Sequence, residues 1–436
     1  MRTKRSGRTP AILAVAVALL AGTVIAGTVT PASAERTPDS RWVGAWATAV
    51  QQPYAETFEG PTWAEKGFAG ESVRQVIRVS TGGTRLRVRL SNLYGTTPLK
   101  ITGATIGKAG EGASVRPGTL LPLRFHRSAS THIAPGREMV SDAVPMKSAP
   151  LERLTVTLYF AQPTGPATFH AFAKTTAYRA SGDQRFDQGG AFPTSAQDTS
   201  RSWYFLTGVE VTGGRQRGAV VTFGDSITDG ASSTMDADNR YPDQLAERLA
   251  AEGRPMGVLN TGIAANKMLS PTTCGGPAAL ARFTRDALDR PGVRAVVVLL
   301  GVNDILATRC DAFFNPCEAV EDPVSAAQLI DAYRKLVRAA HARDIKVIGV
   351  PVTPFKGFPG WCLTPREDTR AELDQWIRTS GELDGVADPE RALLDPDPHQ
   401  NGHLRDPEYN AGDGLHPNDA GLNVIADAVA DALGRM

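Results

Sequence analysis

No sign of charge dominates this sequence: 47 Lys and Arg stand against 46 Asp and Glu in 436 residues. Without a basic excess, or a basic stripe interleaved with aromatics, nothing draws the chain to nucleic acid or anionic lipid. Cysteine is scarce, at four residues, and no Cys-x-x-Cys pair occurs. No histidine lies near a cysteine in sequence, so a zinc site is disfavoured. Beyond the amino-terminal segment no stretch is apolar enough to span a membrane. No internal repeat or low-complexity tract replaces ordinary globular texture, and the length allows two or three domains with sizeable cores.

The amino terminus has what the rest lacks. Arg2, Lys4, Arg5 and Arg8 precede an apolar run from Ala11 to about Val29, and "TPASAER" follows. Ala32 and Ala34 fit the small-residue pattern of a signal-peptidase site. Residues 1–34 are therefore expected to be a secretion signal cleaved after Ala34, giving an exported protein with no membrane span in its mature chain. The run nearly reaches spanning length, but its many Ala, Gly and Thr residues favour removal over a retained anchor. No adjacent arginine pair is present, so the general export route is expected. In an exported chain, four cysteines (Cys274, Cys310, Cys317 and Cys362) suggest disulfides. Three connectivities are open; a small Cys310–Cys317 ring with Cys274 joined to Cys362 is slightly preferred.

From Arg41 to about Val211 the pattern has period two. In "TRLRVRLSNLY", Leu86, Val88 and Leu90 alternate with Arg85, Arg87 and Arg89, as in a strand with one buried and one wet face. Similar runs are separated by Gly, Pro and Ser clusters, which predicts an all-β, jelly-roll-like sandwich over 35–211. "TGGRQRG", residues 212–218, reads as a linker. From 219 to 436 short apolar strands alternate with amphipathic helices, which predicts a mainly parallel sheet covered on both faces.

Four segments of this second half carry reactive residues at strand ends or in loops: "GDSIT" with Ser226, "NTGIAAN" with Gly262, "LLGVNDI" with Asn303, and "DGLHPND" with Asp413 and His416. In a doubly wound sheet such loops converge on one edge. Ester cleavage through serine needs a nucleophile, a base, a group orienting the base, and donors for an oxyanion. Ser226, His416 and Asp413 fit the first three roles. The backbone N–H groups of Ser226 and Gly262 and the Asn303 amide fit the last, with the bare Gly262 leaving room for a substrate.

These blocks, "GDSIT", "TG", "GVND" and "DGLHP", resemble those of the SGNH (GDSL-type) hydrolase superfamily over residues 219–436. The resemblance implies a flavodoxin-like three-layer sandwich, a Ser226–Asp413–His416 triad, an oxyanion hole at Ser226, Gly262 and Asn303, and chemistry without metal or cofactor. The Gly-x-Ser-x-Gly elbow of α/β-hydrolases is absent. The β-rich half resembles the amino-terminal domain of long secreted members and implies no specific ligand. The leading expectation is a secreted serine esterase acting on lipid, small alkyl or acetylated-carbohydrate esters, small or polymeric. Two alternatives stand beside it: a carbohydrate- or surface-binding protein with a vestigial site, and an acyltransferase using the same residues.

Other residues read more plainly. Asp225 reads as a helix cap and Asp304 as a local brace of the Asn303 loop. Trp42 and Trp46 read as core, and His399 and His403 as members of a proline-rich solvated loop rather than metal ligands. The outward arginines of the first half are expected to keep a sheet surface soluble.

Overall fold

The computed structural model describes residues 42–57, 59–306, 324–358 and 367–436. The leader over 1–34 and three of the cysteines, Cys310, Cys317 and Cys362, lie outside the described residues.

Among the described residues the first half folds into two larger antiparallel sheets, of four and six strands, and three two-stranded ribbons, one of which pairs Phe169–His170 with Trp203–Tyr204. The four-stranded sheet orders the strands Val43–Ala47, Leu206–Thr212, Arg85–Ser91 and Glu138–Val140. The six-stranded sheet has Glu71–Arg78 and Arg153–Phe160 at its centre, paired along eight residues. The alternation seen in the sequence faces inward: Leu86, Val88 and Leu90 meet Val73, Ile77, Val156 and Leu158 in one shared core. Trp46 lies in that core, edge-on to Trp203 with ring centroids 4.8 Å apart. The wet face differs from a plain soluble surface. Arg87 and Arg89 both clamp Glu210 on the neighbouring strand, and the Arg87 guanidinium covers the Trp42 ring at 4.3 Å. Cross-strand pairing explains these arginines, since Glu210 is buried and needs opposite charge.

The second half holds a five-stranded parallel sheet built from Ala219–Gly224, Gly257–Asn260, Val293–Leu299, Lys346–Gly349 and Gly385–Val386. Numbered in chain order, the strands lie 2-1-3-4-5, the flavodoxin-like arrangement. Each central strand is apolar on both faces because helices cover both. Val221, Phe223, Val296 and Val298 pack with helices Ala326–His341 and Glu367–Thr379. Val220, Ala295 and Val297 pack instead with Tyr241–Ala251 and Asp419–Gly434. Ser325 and Gln328 form a capping box that starts helix Ala326–His341. Among the described residues no helix is long and apolar enough to cross a membrane.

The halves meet along strand Val43–Ala47, whose Val43 and Ala47 join the core of the α/β half while Ala45 and Trp46 face the sandwich. Backbones come close there: a Cβ on Gly257 would sit 2.0 Å from the Gly44 carbonyl oxygen. Ser80 stitches the seam, its hydroxyl bonding the Ala45 carbonyl at 2.6 Å and accepting from the Val258 N–H at 2.8 Å.

One buried cation ties the sheet edge together. Arg282, on helix Ala279–Phe283, has no solvent exposure. Its guanidinium donates to the Thr261 carbonyl at 2.7 Å, the Gly224 carbonyl at 2.9 Å and Asn266 Oδ1 at 2.8 Å. It also covers the Phe223 ring at 4.2 Å, and Asp286 lies 3.5 Å away. Burial lowers its pKa to about 10, despite the opposing pull of Asp286, which still leaves the group charged at neutral pH. Gly224 ends one strand and Thr261 follows the end of the adjacent one, so this planar fork fixes their loops relative to each other. Replacing Arg282 with Met would leave the Thr261 carbonyl and Asn266 Oδ1 without their donor, each costing about 1–3 kcal/mol when buried, while the Gly224 carbonyl keeps the Ile263 N–H. Arg282→Met should therefore show a clearly lower thermal midpoint, with Arg282→Lys between it and the parent chain. Equal midpoints by calorimetry would refute this bracing role.

Candidate active site

Ser226 stands where the strand Ala219–Gly224 turns into the short helix Ser226–Asp229. Asp225 caps that helix: its carboxylate accepts the Ile227 N–H at 3.1 Å. Such a cap contributes about 1 kcal/mol. Burial pushes the Asp225 carboxyl up to about 7, against the lowering effect of that N–H and of nearby His416.

The Asp413–His416 loop supplies the opposite wall. Asp413 folds the loop with one oxygen, Oδ1, which accepts the N–H groups of Leu415 at 2.9 Å and His416 at 2.8 Å. Its other oxygen meets His416 Nδ1 at 2.6 Å. Asn418 then caps the final helix by accepting the Gly421 N–H. Burial alone would raise the Asp413 pKa, but the His416 ring and these two amides hold it down at about 2. An ionised carboxylate only accepts, so Nδ1 carries the ring proton and Nε2 presents its lone pair. His416 Nε2 lies 2.8 Å from Ser226 Oγ. Serine, histidine and aspartate thus form a continuous hydrogen-bonded line.

The structure brings Gly262 and Asn303 to the same edge, with a difference in what they do. The Gly262 N–H donates to Asn260 Oδ1 at 2.9 Å, while the Asn260 amide donates to the Thr228 carbonyl. A Cβ on Gly262 would fall 2.3 Å from the Asp229 nitrogen and 2.8 Å from its Cα. The missing side chain therefore makes room for the backbone of the serine helix, where the sequence suggested room for a substrate. Asn303 is buried and gives one amide hydrogen to the Asn266 carbonyl at 3.2 Å, which leaves its second hydrogen for another acceptor. Asp304 accepts the Met268 and Leu269 N–H groups at 2.7 and 3.0 Å, a brace between the Asn303 turn and the loop after Gly262. Burial pushes its carboxyl up to about 6 in spite of those two donors.

Arg282 and Asn266 are the site residues that the four blocks did not reveal. Asn266 accepts from Arg282 with its side chain and from Asn303 with its backbone, so it links the buried cation to the Asn303 amide. The available signal was a charged pair, Arg282 and Asp286, on the same helical face as Ala279, Phe283 and Ala287. All five are buried.

Cys274 lies in the loop after Asn266 and is not a free thiol. Its carbonyl accepts a short bond from the Gln51 amide of the sandwich. His399 sits on an exposed turn, Pro398–Gln400. Among the described residues no three His, Cys, Asp or Glu side chains gather as a metal site would require. A recess of about 470 Å³ adjoins Asp413, lined by Asp395, Gln400, His403, Asp406 and Asn410.

Residues 222–423 match the model of the GDSL-like lipase/acylhydrolase family. A GDSL-like lipase from Bacteroides thetaiotaomicron is 19% identical, with 50% of this chain and 89% of that one covered and a TM-score of 0.36. The aryl esterase of M. smegmatis is 16% identical, with 50% of this chain and 99% of that one covered and a TM-score of 0.38. No curated protein sequence matches this chain. Residues 222–423 thus form a carboxylic ester hydrolase domain of the GDSL-like lipase/acylhydrolase family.

Proposed function

We propose that the protein is a secreted serine esterase that works through an acyl-enzyme at Ser226. The observation that carries this reading is the line from Asp413 through His416 to Ser226, at 2.6 and 2.8 Å. Ser226 Oγ attacks the ester carbonyl carbon while its proton passes to His416 Nε2. The imidazolium that forms is stabilised by Asp413, already ionised because its pKa is near 2. As the tetrahedral adduct collapses, the carbon–oxygen bond to the alcohol breaks and the alkoxide takes that proton from Nε2. Water then repeats the sequence, giving its proton to His416 and releasing the carboxylic acid and Ser226.

Charge on the substrate oxygen needs donors in place beforehand. The Ser226 N–H opens its helix, where the first amides lack intrahelical acceptors. The second Asn303 amide hydrogen is the side-chain donor. Gly262 joins them by sharing its N–H between Asn260 and the oxyanion. The substrate is a lipid, small alkyl or acetylated-carbohydrate ester. The complete relay disfavours a binding protein with a vestigial site.

Ser226→Ala should lower turnover of p-nitrophenyl acetate by several orders of magnitude with the fold intact by circular dichroism. The loss in a Ser226→Ala, His416→Ala double variant should be no larger than in either alone, because such residues act as a unit. Asn303→Ala should cost about 10²–10³ in kcat. Wild-type rates in Ser226→Ala would remove it as nucleophile.

Export and disulfide bonding complete the reading. Its supports are the leader-like amino terminus and Cys274, which is no free thiol. Each bridge would contribute on the order of 2–4 kcal/mol, and Cys274 and its partner would brace a loop beside Asn266. Thiol titration of the denatured, exported protein should find no free thiol, and reduction should lower activity before circular dichroism changes. Four titratable thiols would refute the bridges.

A further inference from the structure

A second histidine–aspartate pair lies behind the site and crosses from one half of the chain to the other. His170, on the sandwich strand Phe169–His170, has only 1% exposure, as does Asp229 at the end of the serine helix. His170 Nε2 meets Asp229 Oδ1 at 2.9 Å and His170 Nδ1 meets the Ala49 carbonyl at 2.8 Å. Both nitrogens therefore face acceptors, and the full bond set needs an N–H on each. Trp203 stacks on the imidazole at 5.5 Å and holds its plane.

Asp229 uses its second oxygen for the loop that carries Gly262. Asp229 Oδ2 accepts the Ala264 N–H at 2.9 Å, and the Asp229 backbone is what abuts Gly262. One carboxylate thus sets the spacing between the serine helix and the neighbouring loop, and a sandwich residue aims that carboxylate. A further contact set extends the hold. Lys174 donates to the Ala231 carbonyl at 3.0 Å, and Thr176 grips Asp236 with its N–H and hydroxyl, both at 2.7 Å. The gripped segment reaches the histidine loop, since Ser232 donates to the Pro417 carbonyl at 2.8 Å.

We propose that His170 is a positioning residue for ester cleavage: held by the sandwich, it fixes Asp229 and thereby the geometry between Ser226 and the Gly262 loop. The sandwich is then part of the hydrolase machinery rather than an appended module. This rests on Ser226 being the nucleophile.

The test uses full-length variants in which the amide nitrogen replaces one ring nitrogen at a time. His170→Gln places its nitrogen near the Nε2 position and keeps the donor to Asp229. His170→Asn places it near Nδ1, keeps the Ala49 bond and leaves the buried Asp229 charge unpaired. His170→Asn should lose kcat on the order of 10²-fold, the scale of a misplacement near one ångström. KM should stay within a few-fold, and inactivation of Ser226 by a fluorophosphonate should slow in parallel. His170→Gln should recover most of the loss. Adding Asp229→Asn to His170→Asn should also recover part of it by removing the unpaired charge. All rates are taken well below each variant's melting temperature.

Equal kcat and labelling rates in His170→Asn and wild type would overturn the proposal. So would equal losses in the Asn and Gln variants that follow only their thermal midpoints. If His170→Asn does not fold, Asp229→Asn decides, and wild-type kcat there refutes the role. A wild-type chain that turns over ester but is not labelled at Ser226 fails the nucleophile reading, and this proposal with it.

Discussion

A single hydrogen bond, from Ser226 Oγ to His416 Nε2, joins residues 190 positions apart in sequence. Everything else in the α/β half can be read as the means of keeping that contact near 2.8 Å. The serine is placed by a strand buried on both faces, whose last carbonyl is held by Arg282. The histidine is placed by a loop that Asp413 folds with one oxygen while orienting the imidazole with the other. A carboxylate held near pKa 2 can serve both tasks at any pH where a neutral imidazole is present.

The polar groups behind the site do what apolar packing cannot. Hydrophobic contact is non-directional and tolerates small slips, whereas the reaction needs its groups fixed in distance and angle. Arg282, Asp304 and Asp229 each tie their own segment to at least one other, and all three are buried. Buried charges of this kind add little net stability even when fully paired, but removing one partner is costly. Their value is geometric definition, and they occur where the strand ends must agree with one another.

The sequence made the architecture and the grouping of Ser226, Asp413 and His416 legible because both rest on local signals. The run Ala219–Phe223 ending in Gly-Asp-Ser announces a buried strand and a helix start, and Asp413 lies three residues from the His416 it orients. The supporting layer was hidden because its partners are remote. His170 lies 59 residues before Asp229, and nothing near either position marks the contact. Gly262 was legible as a required glycine, yet its reason is the nearby backbone of Thr228 and Asp229. The arginines of the sandwich showed their periodicity but not Glu210, their shared counter-ion on an adjacent strand.

The central claim, that Ser226 carries the acyl group between ester and water, is tested most directly by trapping that intermediate. Protein mixed with p-nitrophenyl acetate and quenched in acid during turnover would be digested and analysed by mass spectrometry. The account predicts one acetyl group, on the peptide containing Ser226, formed and lost at rates consistent with turnover. Acetylation confined to another residue, or brisk turnover with no adduct in either wild type or a deacylation-slowed His416 variant, would contradict it.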